Sequence, residues 1–214
     1  MINNHDSIAL WDKIAKWYED IFMHFDLYNN SYNHLCRLLP QPEAEILEIG
    51  CGPGNISRYL LNTRPDFKIT ATGAAPNMVQ LATINNPEAT CLVLDARNLE
   101  EIKTTFDAVV CGFCLPYLSV TECENLFSSV ANILKPKGLF YCSTINGNYE
   151  KSGFELNSSG TDGMQVYYYS MPELEPLLLK NNFDMVFREL LPYQKSNGQK
   201  EEHLIFIAKF IQGN

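Results

Sequence analysis

Residues 46 to 54, Ile-Leu-Glu-Ile-Gly-Cys-Gly-Pro-Gly, constrain the fold more than any other stretch of the chain. An apolar strand runs straight into Gly50, Gly52 and Gly54, and Ile56, Tyr59 and Leu60 then recur at helical spacing until Asn62 and Pro65. Without Cβ atoms the backbone turns tightly after a strand, lets a ligand approach closely, and presents N–H groups at the start of the next helix. A strand, a glycine turn and a helix in that order are the building unit of a parallel sheet covered by helices, and they fit a nucleotide-like ligand.

The rest of the chain repeats the alternation. Strands are expected at Ala44 to Ile49, Phe67 to Thr72, Thr90 to Leu94, Phe106 to Cys111 and Leu139 to Ile145. Thr121-Glu122-Cys123-Glu124 reads as a capping box opening a helix that Lys135-Pro136-Lys137-Gly138 stops, and Ser170-Met171-Pro172-Glu173 reads as a second box. Phe183 to Leu191 and His203 to Phe210 read as a closing hairpin around Ser196-Asn197-Gly198, and Ile8 to Leu39 as one or two amphipathic helices. These elements amount to an α/β fold: a doubly wound, mostly parallel seven-stranded sheet with helices on both faces and a terminal antiparallel hairpin.

With 214 residues and 46% hydrophobic content, one domain with its own core is expected over 1–214, residues 1–40 forming a helical lid on an α/β core at 41–214. The formal charge of −9 argues against a nucleic-acid partner, whose affinity rests on Lys and Arg. The start of the chain lacks the basic and apolar pattern of a signal peptide, and no apolar run reaches the ~20 residues of a membrane span, so a cytoplasmic protein is expected, as a monomer or homodimer. Seven scattered cysteines fit reduced, buried thiols. Cys111-Gly112-Phe113-Cys114 has redox spacing, but it follows a strand, and Pro116 keeps it from opening a helix that would acidify a thiol. No second Cys or His pair accompanies it at zinc spacing.

Nicotinamide sites favour G-x-G-x-x-G, and here the third glycine position is Asn55. Glu48-x-Gly50-x-Gly52-x-Gly54 instead resembles the first motif of the class I S-adenosylmethionine-dependent methyltransferases, small-molecule branch, and the likeness continues in order over roughly residues 8 to 210. It implies S-adenosylmethionine as cofactor, with Glu48, Gly50, Cys51, Gly52 and Gly54 at its cradle and no metal. It places Gly73, Ala74 and Met78 beside the adenosine, gives Asp95 and Ala96 to the adenine edge, and sets Gly112 and Phe113 at the methionyl end. Trp11 to Tyr18 resembles the family's lid, so Tyr18 is expected at the cofactor, and Tyr28 and Tyr117 at the acceptor. The loop Leu115-Pro116-Tyr117 lacks both the Asn-Pro-Pro-Tyr of enzymes that methylate exocyclic or amide nitrogens and the Pro-Cys of cytosine C5 enzymes; it resembles the small-molecule branch instead, which implies a small-molecule acceptor. Asn146 to Tyr169, including Tyr167-Tyr168-Tyr169, is a second substrate-facing candidate, either an acceptor wall or a strand edge.

One position departs from the pattern. Where the family carries a ribose-binding acid, this chain has Gly73. The alternative to an active methyltransferase is therefore a methyltransferase-like protein that binds the cofactor weakly or does not catalyse. No general base is expected from the sequence, with His24 and His34 in solvent-facing or capping places.

Overall fold

The computed structural model describes residues 4–156, 162–195 and 198–211. Seven strands form one sheet in the order β3-β2-β1-β4-β5-β9-β8. Its centre comprises β1 (Glu45–Ile49), β2 (Lys68–Gly73), β3 (Thr90–Val93), β4 (Phe106–Gly112) and β5 (Leu134–Ile145), all parallel. Beside β5 lies β9 (Lys200–Phe210), antiparallel to β5 and to its hairpin partner β8 (Phe183–Gln194). A separate short hairpin pairs β6 (Gly153–Leu156) with β7 (Gly163–Val166). The expected strands and the closing hairpin are all present; of its turn, Ser196 and Asn197 lie outside the described residues and Gly198 takes φ +84°.

β1, β4 and the inner part of β5 are buried on both faces, whereas β3 is largely exposed, so alternate residues of the inner strands enter two cores. Leu47, Val109, Phe140 and Phe206 face α6 (Val120–Ile133) and α7 (Met171–Lys180) through Phe127, Val130, Leu174 and Leu178. Ile46, Val110, Tyr141 and Ile207 face α3 (Asn29–Leu38), α4 (Asn55–Thr63) and α5 (Pro76–Asn85) through Leu35, Leu60 and Val79.

Two local expectations need correction. The box that opens α6 is Ser119 with Glu122, not Thr121 with Glu124: Ser119 N and Oγ both donate to Glu122 Oε2 at 2.7 Å. The N-terminal segment forms three helices rather than one or two, namely α1 (Asn4–Lys13), α2 (Ala15–Phe22) and α3, because Ile14 leaves helical geometry at ψ 11° and the 23–28 stretch separates α2 from α3. Ala75, the N-cap of α5, has no polar side chain, and Asp12 of α1 supplies the missing acceptor: Asn77 N donates to its Oδ1 at 2.6 Å and Asn77 Nδ2 to its Oδ2 at 2.9 Å.

Candidate active site

The glycine turn sits where the sheet order reverses, since β1 pairs with β2 on one side and β4 on the other. Ligands of open α/β sheets bind at that switch point, beyond the carboxyl ends of the strands. Gly50, Gly52 and Gly54 all take positive φ, at +69°, +53° and +86°. Their surroundings differ. A Cβ on Gly54 would lie 2.2 Å from Asn86 Nδ2, whereas one on Gly52 would meet only Tyr18 Cε1 at 3.7 Å and Asn55 Oδ1 at 3.9 Å. Gly54 is thus a packing glycine against α5, and Gly52 is the place where bare backbone faces a space roofed by a side chain. Gly54→Ala is expected to cost about 2–5 kcal/mol, from the left-handed backbone and the displaced Asn86, which donates to Gly54 O and Ala82 O. A denaturant melt reads that loss.

Glu48 braces the turn from below. Ser57 donates to its Oε2 through N–H at 3.1 Å and through the hydroxyl in a shorter bond, while Oε1 is buried without a partner. Burial pushes this carboxyl up to about 7, against the pull of the Ser57 bonds.

Along the carboxyl edge, the Gly73 position is tight: a Cβ there would lie 3.4 Å from Cys51 Sγ and 3.3 Å from Val79 Cγ2. Met78 is buried with Ala15 and Ala75 under Trp11 and Tyr18, and Ala74 is half-buried next to them. Asp95 caps the short helical turn begun by Ala96, accepting from Arg97 N at 2.9 Å, and Arg97 also holds it by Nη1 at 2.9 Å. Arg97 reaches on to Glu122 at 2.5 Å and to Tyr117 O at 3.2 Å, tying the β3 end to α6 and the β4 loop.

Gly112 is a packing glycine too, since a Cβ there would lie 2.3 Å from Ile56 Cδ1. After it, Phe113 takes a left-handed φ of +52°, its N–H donating to Ser143 O at 3.0 Å and Ser143 Oγ at 3.1 Å. A bulky residue is costly there, and such strain gathers at functional sites. The Phe113 ring lies 5.1 Å from Tyr28 and 4.7 Å from His203. Tyr18 lies between Trp11, which it meets edge-on at 5.4 Å, and the tilted ring of Phe22 at 4.5 Å, and Trp11 also meets Tyr117 at 5.4 Å. Burial pushes the Tyr18 phenol up to about 12 and keeps Tyr28 and Tyr117 higher still, so all three are neutral hydroxyls at pH 7.

The remaining candidates separate. In the tyrosine run, Tyr169 donates to Leu118 O at 2.5 Å, Tyr168 bonds Glu155, and Tyr167 stacks on Tyr149 at 5.8 Å, which brace the loop rather than line a pocket. His24 is exposed, and His34 stacks on Phe187 at 4.3 Å. All seven cysteines are free thiols; the Cys111 contact and burial hold Cys114 well above the ordinary thiol range, and against the pull of Cys114 the Cys142 contact and burial hold Cys111 there too, so neither is a ready nucleophile. Among the described residues, no group of three or more His, Cys, Asp and Glu side chains is arranged to hold a metal, and no helix is long and apolar enough to cross a membrane. A depression between Gln41, Asp107 and Lys135 lies at the opposite edge of the sheet, where Lys135 pairs with Asp107 at 2.9 Å and Glu45 at 2.7 Å.

Sequence reasoning missed His203. Its signal was the β9 alternation, because Glu201, His203, Ile205 and Ile207 share a face, and a histidine continuing a buried apolar stripe needs partners.

Fold and site together define an α/β protein with a ligand cradle at the switch point of its sheet. Residues 46–138 match the family model described as methyltransferase domain. A ubiquinone biosynthesis O-methyltransferase of Xanthomonas campestris is 30% identical over 110 residues, covering 49% of this chain and 44% of that protein. An uncharacterized methyltransferase of Oceanobacillus iheyensis is 23% identical over 184 residues, 81% of this chain and 82% of that one. Among solved structures, 1,6-didemethyltoxoflavin-N1-methyltransferase of Burkholderia thailandensis, holding 1,6-didemethyltoxoflavin and S-adenosylhomocysteine, superposes with a TM-score of 0.73 at 19% identity over 99% of this chain and 92% of that one. The matches at about 30% identity span less than half the length of those curated relatives. The chain thus resembles the S-adenosylmethionine-dependent methyltransferases in the domain model that residues 46–138 match, in these relatives and in its fold.

Proposed function

We propose that the chain transfers the methyl group of S-adenosylmethionine to a small molecule. The observation that carries this reading is the open cradle at Gly52 above the buried, half-partnered carboxyl of Glu48, at the switch point of a methyltransferase-ordered sheet. The donor set fits the group: bare backbone for close approach, and a carboxyl with one orphaned oxygen for a ligand that carries positive charge. Gly50, Cys51, Gly52 and Gly54 would form the cradle; Ala74 and Met78 would wall the adenine, and Asp95 and Ala96 would read its edge. Gly112 and Phe113 would border the methionyl end through their backbone, with Tyr18 over it and Tyr28 and Tyr117 toward the acceptor.

Bound there, S-adenosylmethionine supplies a methyl group activated by its sulfonium. The chain's own contribution is alignment and exclusion of water: Trp11 and Tyr18, carried by α1 and α2 as a lid over one compact domain, close the cradle as an aromatic roof with Tyr117 of the loop after β4. Support for a small acceptor comes from the relatives, whose names are those of enzymes for ubiquinone biosynthesis and 1,6-didemethyltoxoflavin. On this reading the protein works in the cytoplasm, as a monomer or homodimer, without a nucleic-acid partner.

A second reading, a methyltransferase-like protein with weak or no cofactor binding, is favoured by one observation. The Cys51 thiol and Val79 crowd the place from which a ribose-binding acid would project. Calorimetric titration with S-adenosylmethionine separates the two: a dissociation constant in the micromolar range, ~1–100 μM, supports the first, and absence of heat supports the second.

A further inference from the structure

Tyr28, His203 and Glu201 form a continuous hydrogen-bonded line at the carboxyl edge of the sheet. The Tyr28 hydroxyl lies 2.7 Å from His203 Nδ1, and His203 Nε2 lies 2.9 Å from Glu201 Oε1. His203 is 4% exposed and pairs in register with Ile145, the last residue of β5. Tyr193 stacks on its ring at 4.6 Å and Phe113 meets it edge-on at 4.7 Å. Burial pushes the Glu201 carboxyl up, but hydrogen bonds from His203 and Lys195, with the Lys195 charge, outweigh it and hold the group below the ordinary carboxylate range. An ionised Glu201 accepts from Nε2–H, which fixes the tautomer and leaves Nδ1 to accept from Tyr28.

The line ends beside the strained Phe113, at the loop bordering the cradle, and its surroundings are rings rather than charges. The cations of that end are already held, Lys195 by Glu201 at 2.7 Å and Arg97 by Asp95 and Glu122. Among the described residues of that end, neither cation is thus spare to hold a carboxylate or phosphate on the acceptor, while the half-buried rings of Phe25, Phe113 and Tyr193 gather around Tyr28 and His203 and suit a flat one.

We propose that Tyr28, His203 and Glu201 are a proton relay that deprotonates a flat acceptor bearing a hydroxyl and no further anionic group, as methyl transfer proceeds. The proposal rests on the methyl-transfer reading above. Tyr28 is the catalytic group: its oxygen takes the acceptor's proton while its own proton passes to His203 Nδ1, and the imidazolium is held by Glu201. The acceptor oxygen forms the new O–CH3 bond, and the S–CH3 bond of the sulfonium donor breaks with its electron pair staying on sulfur. His203 and Glu201 act through Tyr28 as positioning residues.

The test uses the full chain, labelled S-adenosylmethionine and two acceptors at pH 8: 4-methylphenol, which keeps its proton, and 4-nitrophenol, which is already ionised. Wild type is expected to methylate both. Tyr28→Phe and His203→Gln are each expected to lose at least ~100-fold with 4-methylphenol and no more than roughly threefold with 4-nitrophenol. Equal losses with both phenols mean a packing role and overturn the relay, provided melts show the variants folded. Methylation of neither phenol by wild type that still binds S-adenosylmethionine in the calorimeter also overturns it. Absence of that binding instead removes the methyl-transfer reading itself, and the relay with it.

Discussion

Glu48→Gln should be more stable than wild type at pH 8 by roughly 3 kcal/mol and indistinguishable from it near pH 4. The unfolded carboxyl titrates near its ordinary value of 4.5 and the folded one near 7, so between those values the folded state holds a proton that the unfolded state has released. A state that binds more protons is weakened as pH rises, and wild type therefore loses stability from about pH 4.5 up to pH 7 and then levels off. Glutamine fills the same space, and its carbonyl accepts from Ser57 without ionising. Thermal melts across pH 4 to 8 check this, with a gap of ~6–12 °C expected at the alkaline end. The lowered carboxyls of Asp66, Glu19 and Glu201 titrate on the acid side, and they cancel in the difference between the two proteins. Parallel melting curves at every pH would mean that Glu48 is solvated.

The second large effect concerns Gly73. Restoring the family's acid by Gly73→Asp alone places a Cβ 3.4 Å from Cys51 Sγ, so the carboxylate enters a space that the thiol partly fills. Cys51→Ala with Gly73→Asp removes the thiol and leaves Val79 Cγ2, at 3.3 Å, as the neighbour that must give. A charged acceptor adds ~1.5–3 kcal/mol for a hydroxyl it binds, so the double variant is expected to take up S-adenosylmethionine about 10–100 times more tightly than wild type, and the single variant less than that. Calorimetry of the three proteins side by side measures it. A double variant no tighter than wild type would show that the end of β2 does not meet the ribose.

The strands and their order of burial were legible because period and punctuation coincide: apolar runs at Ile46 to Ile49 and Ala108 to Cys111 end in glycines, and the hairpin closes on Gly198. Helix starts were less legible where two polar residues compete. Ser119 and Thr121 both precede acids, and the choice of Ser119 depends on which residue the chain leaves extended after Leu118, a tertiary matter. In the site, the glycine motif was readable as a unit, yet its members have different duties. Gly54 and Gly112 are small because Asn86 and Ile56 press on them, and only the packed structure shows that. The pairings of Arg97 and His203 were hidden for a related reason, although the β9 alternation marks His203 as buried. Their partners, Glu122 and Tyr28, are 25 and 175 positions away, and no local pattern announces such pairings.

The bond from α1 to α5 bears on where the chain can be cut. α5 borrows the acceptor for its first turn from Asp12, 65 positions upstream. A version trimmed to start after residue 14, still well upstream of the matched residues 46–138, would expose that first turn and uncover Met78 along with it. The stretch holding Ile8, Trp11 and Asp12 is part of the scaffold, and forms that lack it report on a different molecule.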